Sequence, residues 1–267
     1  MQSDRSAVER SLRLLAPVLF GLVVLAVWEL LVRVNSVPHY ILPGPLAIMG
    51  AMWTDGAGLL AALWITLRIA IGALGIAAIL GGSLAVAMAQ SRWAEASLLP
   101  YAIFLQVTPI VSIAPLIIIW ADDVTLSLLI CAVIVAFFPI VSNTILGLHS
   151  TDRGLLDLFK LAGATRLQTL CYLRIPTALP HFLAGLRISG GLALIGAVVA
   201  EFVAGTGGVE TGLASRILEA GNRLQIPRLF AALILLSLAG LAIHLVLGLV
   251  TRRLLARWHE SALPTDR

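Results

Sequence analysis

Few side chains in this sequence are placed to do covalent chemistry. Asp122 and Asp123 are adjacent acids, but neighbours in a turn need not face one another, so they read as a solvated turn. A serine hydrolase needs G-x-S-x-G to lift its nucleophile on a sharp bend, and a zinc peptidase needs H-E-x-x-H to set two ligands on one helix face. Neither pattern occurs. Cys131 and Cys171 stand in no metal-ligand spacing and are expected to be reduced packing residues. A Walker A loop needs Lys followed by Ser or Thr, and the sole lysine, Lys160, is followed by Leu161. The chain is therefore expected to bind no cofactor and no metal, and any ATP and magnesium it depends on must sit on another subunit.

Composition says where these residues live. Of 267 residues, 60% are hydrophobic and 12% charged, with a mean hydropathy of +1.01. Soluble domains carry about 25% charged residues. Apolar runs recur along the whole chain, so the class is an all-α, polytopic membrane bundle. The formal charge of +4 fits basic loops on one membrane face better than nucleic-acid binding.

About 20 helical residues cross a bilayer core. The spans are predicted near Leu15–Val34, Ile65–Ala89, Pro100–Trp120, Val124–Leu148, Phe182–Ala204 and Arg228–Val250. With the N-terminus inside, the inner segments hold twelve Lys and Arg and the outer segments four. That bias puts both termini in the cytoplasm. Asp4 and Glu9 among the first basics, and the absence of a small-residue cleavage pattern, make the first run a retained span. The divisions expected are a cytoplasmic N-terminus 1–14, a transmembrane domain 15–257 with a cytoplasmic loop 149–181, and a cytoplasmic tail 258–267.

Charges buried in hydrocarbon cost at least about 2.5–3.5 kcal/mol on insertion scales. Glu29, Arg68, Arg187 and Glu201 all fall near predicted span ends, and His244 reads as a packed neutral histidine. Mid-depth polar groups are neutral: Ser83, Thr108 and Ser112 are the candidates for a solute path. An ion-coupled secondary transporter, the alternative reading, would place acids or histidines deep in the bundle. The prolines at 100, 109, 115 and 139 predict kinks in spans three and four.

One segment does not fit a simple bundle. Between spans four and five runs LFKLAGATRLQTLCYLRIPTALP, from Leu158 to Pro180. Gly163 can end one short helix with a left-handed residue, and Thr165 can cap the next. Leu167, Leu170, Cys171 and Leu173 form an apolar side of that second helix. Pro176 and Pro180 are expected to stop the helix before span five.

This segment resembles the cytoplasmic loop of permease subunits of bacterial binding-protein-dependent ABC importers. The loop's pattern is E-A-A, three residues, Gly, nine residues, Ile, one residue, Leu-Pro. Asp157, Leu158 and Phe159 stand at its start, then Gly163, then Leu173, Ile175 and Pro176. Leu158 and Phe159 replace the two alanines. The similarity extends to LPGP after span one, IAPLIIIW in span three, FFPIVSNTILGLHSTD in span four and IGAVVAEFV in span five. It looks like the branch that includes nitrate, sulfonate, taurine, bicarbonate, thiamine-precursor and riboflavin importers.

The resemblance implies a type I importer permease fold in a bacterial inner membrane. It implies no enzyme activity in this chain. The implied partners are a cytoplasmic ABC ATPase, an external solute-binding protein, a second permease copy and membrane lipid. Asp157, Leu158, Phe159, Lys160, Ala162, Gly163, Ala164, Arg166, Ile175 and Pro176 would couple the permease to the ATPase.

Overall fold

A computed structural model describes residues 2–205 and 211–256, with side chains described from residue 15 onward; the expected tail 258–267 lies outside the described residues. The described chain is helical: α1 (Gln2–Val34), α2 (Pro45–Thr54), α3 (Gly56–Ala89), α4 (Arg92–Val107), α5 (Ile110–Ala121), α6 (Val124–His149), α7 (Arg153–Leu161), α8 (Arg166–Thr169), α9 (Ile175–Ala204), α10 (Leu213–Asn222) and α11 (Ile226–Leu255). A π-helical turn, Leu170–Arg174, joins α8 to α9.

Among the described residues, five stretches are long and apolar enough to cross a membrane: Leu15–Val34, Gly56–Ala89, Val124–His149, Arg166–Ala204 and Ile226–Leu255. The sixth predicted span, Pro100–Trp120, is not one helix. It breaks into α4 and α5, which meet at 98°. Pro109 has no N–H and disfavours a helical conformation in the residue before it, so Thr108 is extended at ψ 122°. The broken pair still carries the chain across. Ile69, in the first half of α3, and Leu128, near the start of α6, share one core cluster, and Ala89 and Leu148, at the ends of the two helices, share another. Hence α3 and α6 run parallel, and the chain between them must return to the first face.

The core is the trio α3, α6 and α9. On α3, Ala73, Ala77 and Ala85 are fully buried, and with Gly81 they make the smooth ridge that their four-residue spacing predicts. The antiparallel pair α6–α9 touches nearly backbone to backbone. A Cβ on Gly147 would lie 2.9 Å from Ala178 Cα, one on Gly185 2.7 Å from the Pro139 carbonyl oxygen, and one on Gly196 2.9 Å from Ala132 Cα.

Two further expectations are corrected. The predicted outer loop contains α2, and α3 starts at Gly56 rather than Ile65. Glu29 of α1 accepts from the Leu46 amide at 3.2 Å and from Arg33 Nε at 2.6 Å, while Asp55 pairs with Arg228 at 2.6 Å. These contacts fasten the two ends of α2 to α1 and α11, where the sequence reading placed only a loop between spans. Pro176 and Pro180 do not stop the chain: it stays helical from Arg166 to Ala204. Pro176 sits in the first turn of α9, directly after the π turn. The Ile175 amide reaches back five residues to the Leu170 carbonyl, and that wider turn makes room for the proline ring.

Candidate functional site

The segment 152–176 is built by local capping. Asp152 starts α7, its Oδ1 accepting from the Leu155 amide at 3.0 Å. Gly163 ends it at φ +72°. The Gly163 amide donates to the Lys160 carbonyl at 3.0 Å and the Ala164 amide to the Phe159 carbonyl at 2.9 Å, the paired closure of a Schellman motif. Thr165 opens α8 with a capping box: its Oγ1 accepts from the Gln168 amide at 3.3 Å, and Gln168 Oε1 accepts from the Thr165 amide at 2.7 Å. The corner between the two helices is thus closed by main-chain and capping hydrogen bonds alone.

The corner is fastened to the bundle on one side and bare on the other. Leu170 joins the cluster of Leu148 and Ala178, against Val86 and Ala89. Facing away, Leu158 is 58% exposed, Leu161 87% and Leu167 69%. Leu155, Leu158 and Leu161 recur every third residue, one stripe along α7. Asp157 and Lys160 pair beside it at 2.9 Å, in the open. Of the apolar side predicted for the second helix, Leu170 and Leu173 are buried, but Leu167 and Cys171 are exposed. Cys171 is therefore not a packing residue; Cys131 is, and both are free thiols.

The candidate path residues fall in two places. Thr108 and Ser112 flank the break: Thr108 Oγ1 donates to the Phe104 carbonyl at 2.7 Å, and the Ser112 amide donates to the Pro109 carbonyl at 2.9 Å. Ser83 lines an apolar groove of about 640 Å³ with Gly82, Thr144, Ile175 and Phe182. Asp122 and Asp123 form the turn that was predicted, Asp123 capping α6 at the Leu126 amide.

Glu201 was read from sequence as a span-end acid. It is 1% exposed. Its Oε1 accepts from Thr66 Oγ1 at 2.7 Å and its Oε2 from the Ala214 amide at 2.9 Å, and Thr66 Oγ1 in turn accepts from the Leu213 amide at 2.9 Å. One carboxyl therefore joins α3, α9 and the start of α10. Gly212 lies flush against it, with no room for a Cβ. The sequence signal was available in Thr66 and Glu201 near two span ends, but their pairing spans 135 positions. A Glu201→Leu protein is expected to lose about 1–3 kcal/mol of stability, because the buried Ala214 amide is left without its acceptor. Hydrogen exchange at Leu213 and Ala214 should speed up; unchanged protection there would refute the latch.

On α10, Glu219 pairs with Arg216 at 3.0 Å and Arg223 at 3.1 Å. The Arg216 hydrogen bond, aided by the charge of Arg223, holds its carboxyl below the usual value. His244 is not packed: it is exposed and meets Arg187 at 2.7 Å.

Comparison with known proteins agrees with this architecture. Residues 73–257 match the family described as binding-protein-dependent transport system inner membrane component. The riboflavin transport system permease protein of Chloroflexus aurantiacus is 36% identical over 90% of this chain and 88% of its own. A probable ABC transporter permease protein of Haemophilus influenzae is 35% identical, over 87% and 94%. The formylaminopyrimidine transport permease protein of Halalkalibacterium halodurans is 34% identical, over 88% and 92%. A solved structure, described as an amino acid ABC transporter with histidines, superposes with a TM-score of 0.60 over 76% of this chain and 96% of that one, at 18% identity, which supports the fold alone. The chain is a multi-pass ABC transporter permease subunit, a transport component rather than an enzyme, and it belongs to the family of inner membrane components of binding-protein-dependent transport systems.

Proposed function

We propose that this chain forms half of the solute path of an ATP-driven importer in a bacterial inner membrane. Two copies pair, an external binding protein delivers the solute, and a separate ATPase holds ATP and magnesium. The ATPase contact is the corner from Asp157 to Pro176. The observation that carries this reading is the apolar stripe of Leu155, Leu158 and Leu161, held rigidly outside the bundle. An exposed apolar row on a doubly capped helix pair fits a partner groove better than water. Leu158 and Phe159, bulkier than alanine, call for a roomier groove.

The solute is a small heterocycle of the flavin or aminopyrimidine kind. Relatives named for riboflavin and formylaminopyrimidine are 36% and 34% identical, against 29% and 27% for relatives named for sulfonates and taurine. The path runs beside the break at Thr108 and Ser112, where discontinuous helices expose main-chain groups to a solute.

The thiols offer a test. Cys171 is exposed beside the corner and Cys131 is buried. Maleimide should label Cys171 in inverted vesicles, and added partner ATPase should slow that labelling tenfold or more. Labelling indifferent to the ATPase would sink the contact. Uptake of labelled riboflavin and of a labelled alkylsulfonate by the reconstituted system decides the solute class.

A further inference from the structure

Beneath α7 and α8, behind the outward leucines of the coupling corner, lie two adjoining cavities. One, of about 610 Å³, is lined by Gln90, Arg92, Glu95, His149, Arg153 and Arg174. The other, of about 410 Å³, shares Gln90, Leu156 and Arg174 and adds Lys160 and Arg166. Their charge is lopsided. Glu95 is engaged by His149 at 3.3 Å, and Lys160 by Asp157. Arg92, Arg153, Arg166 and Arg174 have no carboxylate in ion-pair range among the described residues. Arg174 closes the π turn, and its Nε is buried with no hydrogen-bond partner.

Depth identifies the occupant. Trp93, next to Arg92, is 85% exposed, and Tyr101 on the same helix is 70% exposed. Trp and Tyr mark the headgroup level of a bilayer. The α4 helix, bent 98° from α5, starts at the bundle end where α3 and α6 finish. The cavities therefore open at headgroup depth, beside lipid. A basic pocket between helices at that level suits an anionic headgroup.

From this juxtaposition we propose that Arg92, Arg153 and Arg174 bind the phosphate of an anionic phospholipid under the coupling corner. The phosphate bridges α4 to the π turn and so braces α7 and α8 from behind.

The test uses the purified full-length chain without any ATPase, so its outcome is separate from that of the coupling proposal. Native mass spectra with added phosphatidylglycerol should show one lipid retained per chain, which phosphatidylcholine does not replace. Arg92→Gln with Arg174→Gln should weaken retention on the order of 25-fold, about fivefold per charge. Arg92→Lys with Arg174→Lys should keep most of it, which guards against a folding defect, and Arg223→Gln at the far end should change nothing. Undiminished retention in the double glutamine variant overturns the site. Displacement of the lipid by millimolar inorganic phosphate overturns it in favour of a soluble anion.

Discussion

A Gly163→Val permease is expected to insert and fold normally yet lose at least tenfold of its ATP-driven uptake. The reason is conformational. Gly163 holds φ +72°, and a Cβ there would meet nothing within 4 Å. No clash arises, so the bundle has no reason to unfold. The left-handed conformation costs an L-residue about 1–2 kcal/mol, and a β-branched one is a genuine outlier there. Valine will therefore relax the corner, lose the two amide bonds to Lys160 and Phe159, and swing α7 relative to α8. Gly163→Asn should be nearly silent, because asparagine visits this conformation readily, and Gly163→Ala should fall between the two. Uptake by reconstituted vesicles, with membrane insertion measured alongside, gives the order. If valine transports as well as asparagine, the corner does not transmit force.

The second large effect concerns folding. Gly185→Ala and Gly196→Ala are each expected to cost about 1–3 kcal/mol, and leucine at either position should prevent stable folding. The seam from Gly147–Ala178 to Gly196–Ala132 covers nineteen residues of α9, about 27 Å of helix and so nearly the bilayer core. The atoms a new Cβ would strike at 185 and 196 include backbone, which cannot rotate away. The helices would have to separate and forfeit packing along the seam. Gly191 is the internal control: a Cβ there meets nothing within 4 Å, so Gly191→Ala should be neutral or slightly stabilising. Detergent-denaturation midpoints compare the three. Equal losses at 185, 191 and 196 would show that helix flexibility, not close approach, sets the cost.

Much of the architecture was legible in advance because bilayer burial is a local property. Runs of some twenty apolar residues announce spans whatever their neighbours do. The capped corner was equally local: Gly163 and Thr165 act within a few residues, and their geometry matches expectation, while Gln168 completes the capping box. The family pattern itself is carried by such residues, Gly163 and Pro176 above all.

What distance along the chain hides, only tertiary structure could decide. Pro109 and Pro115 looked equivalent in sequence, yet one breaks the helix and the other sits inside α5. Pro176 and Pro180 looked like terminators, but α9 runs through both, and a π turn held by the burial of Leu170 and Leu173 makes room for the ring of Pro176. Glu201 looked like one more span-end acid until Thr66 and α10 closed around it. The alanine ridge announced that a helix would come close but not which one. In each case the deciding partner lies on another helix, and a hydrogen bond or a backbone contact between helices leaves no mark on either stretch of sequence alone.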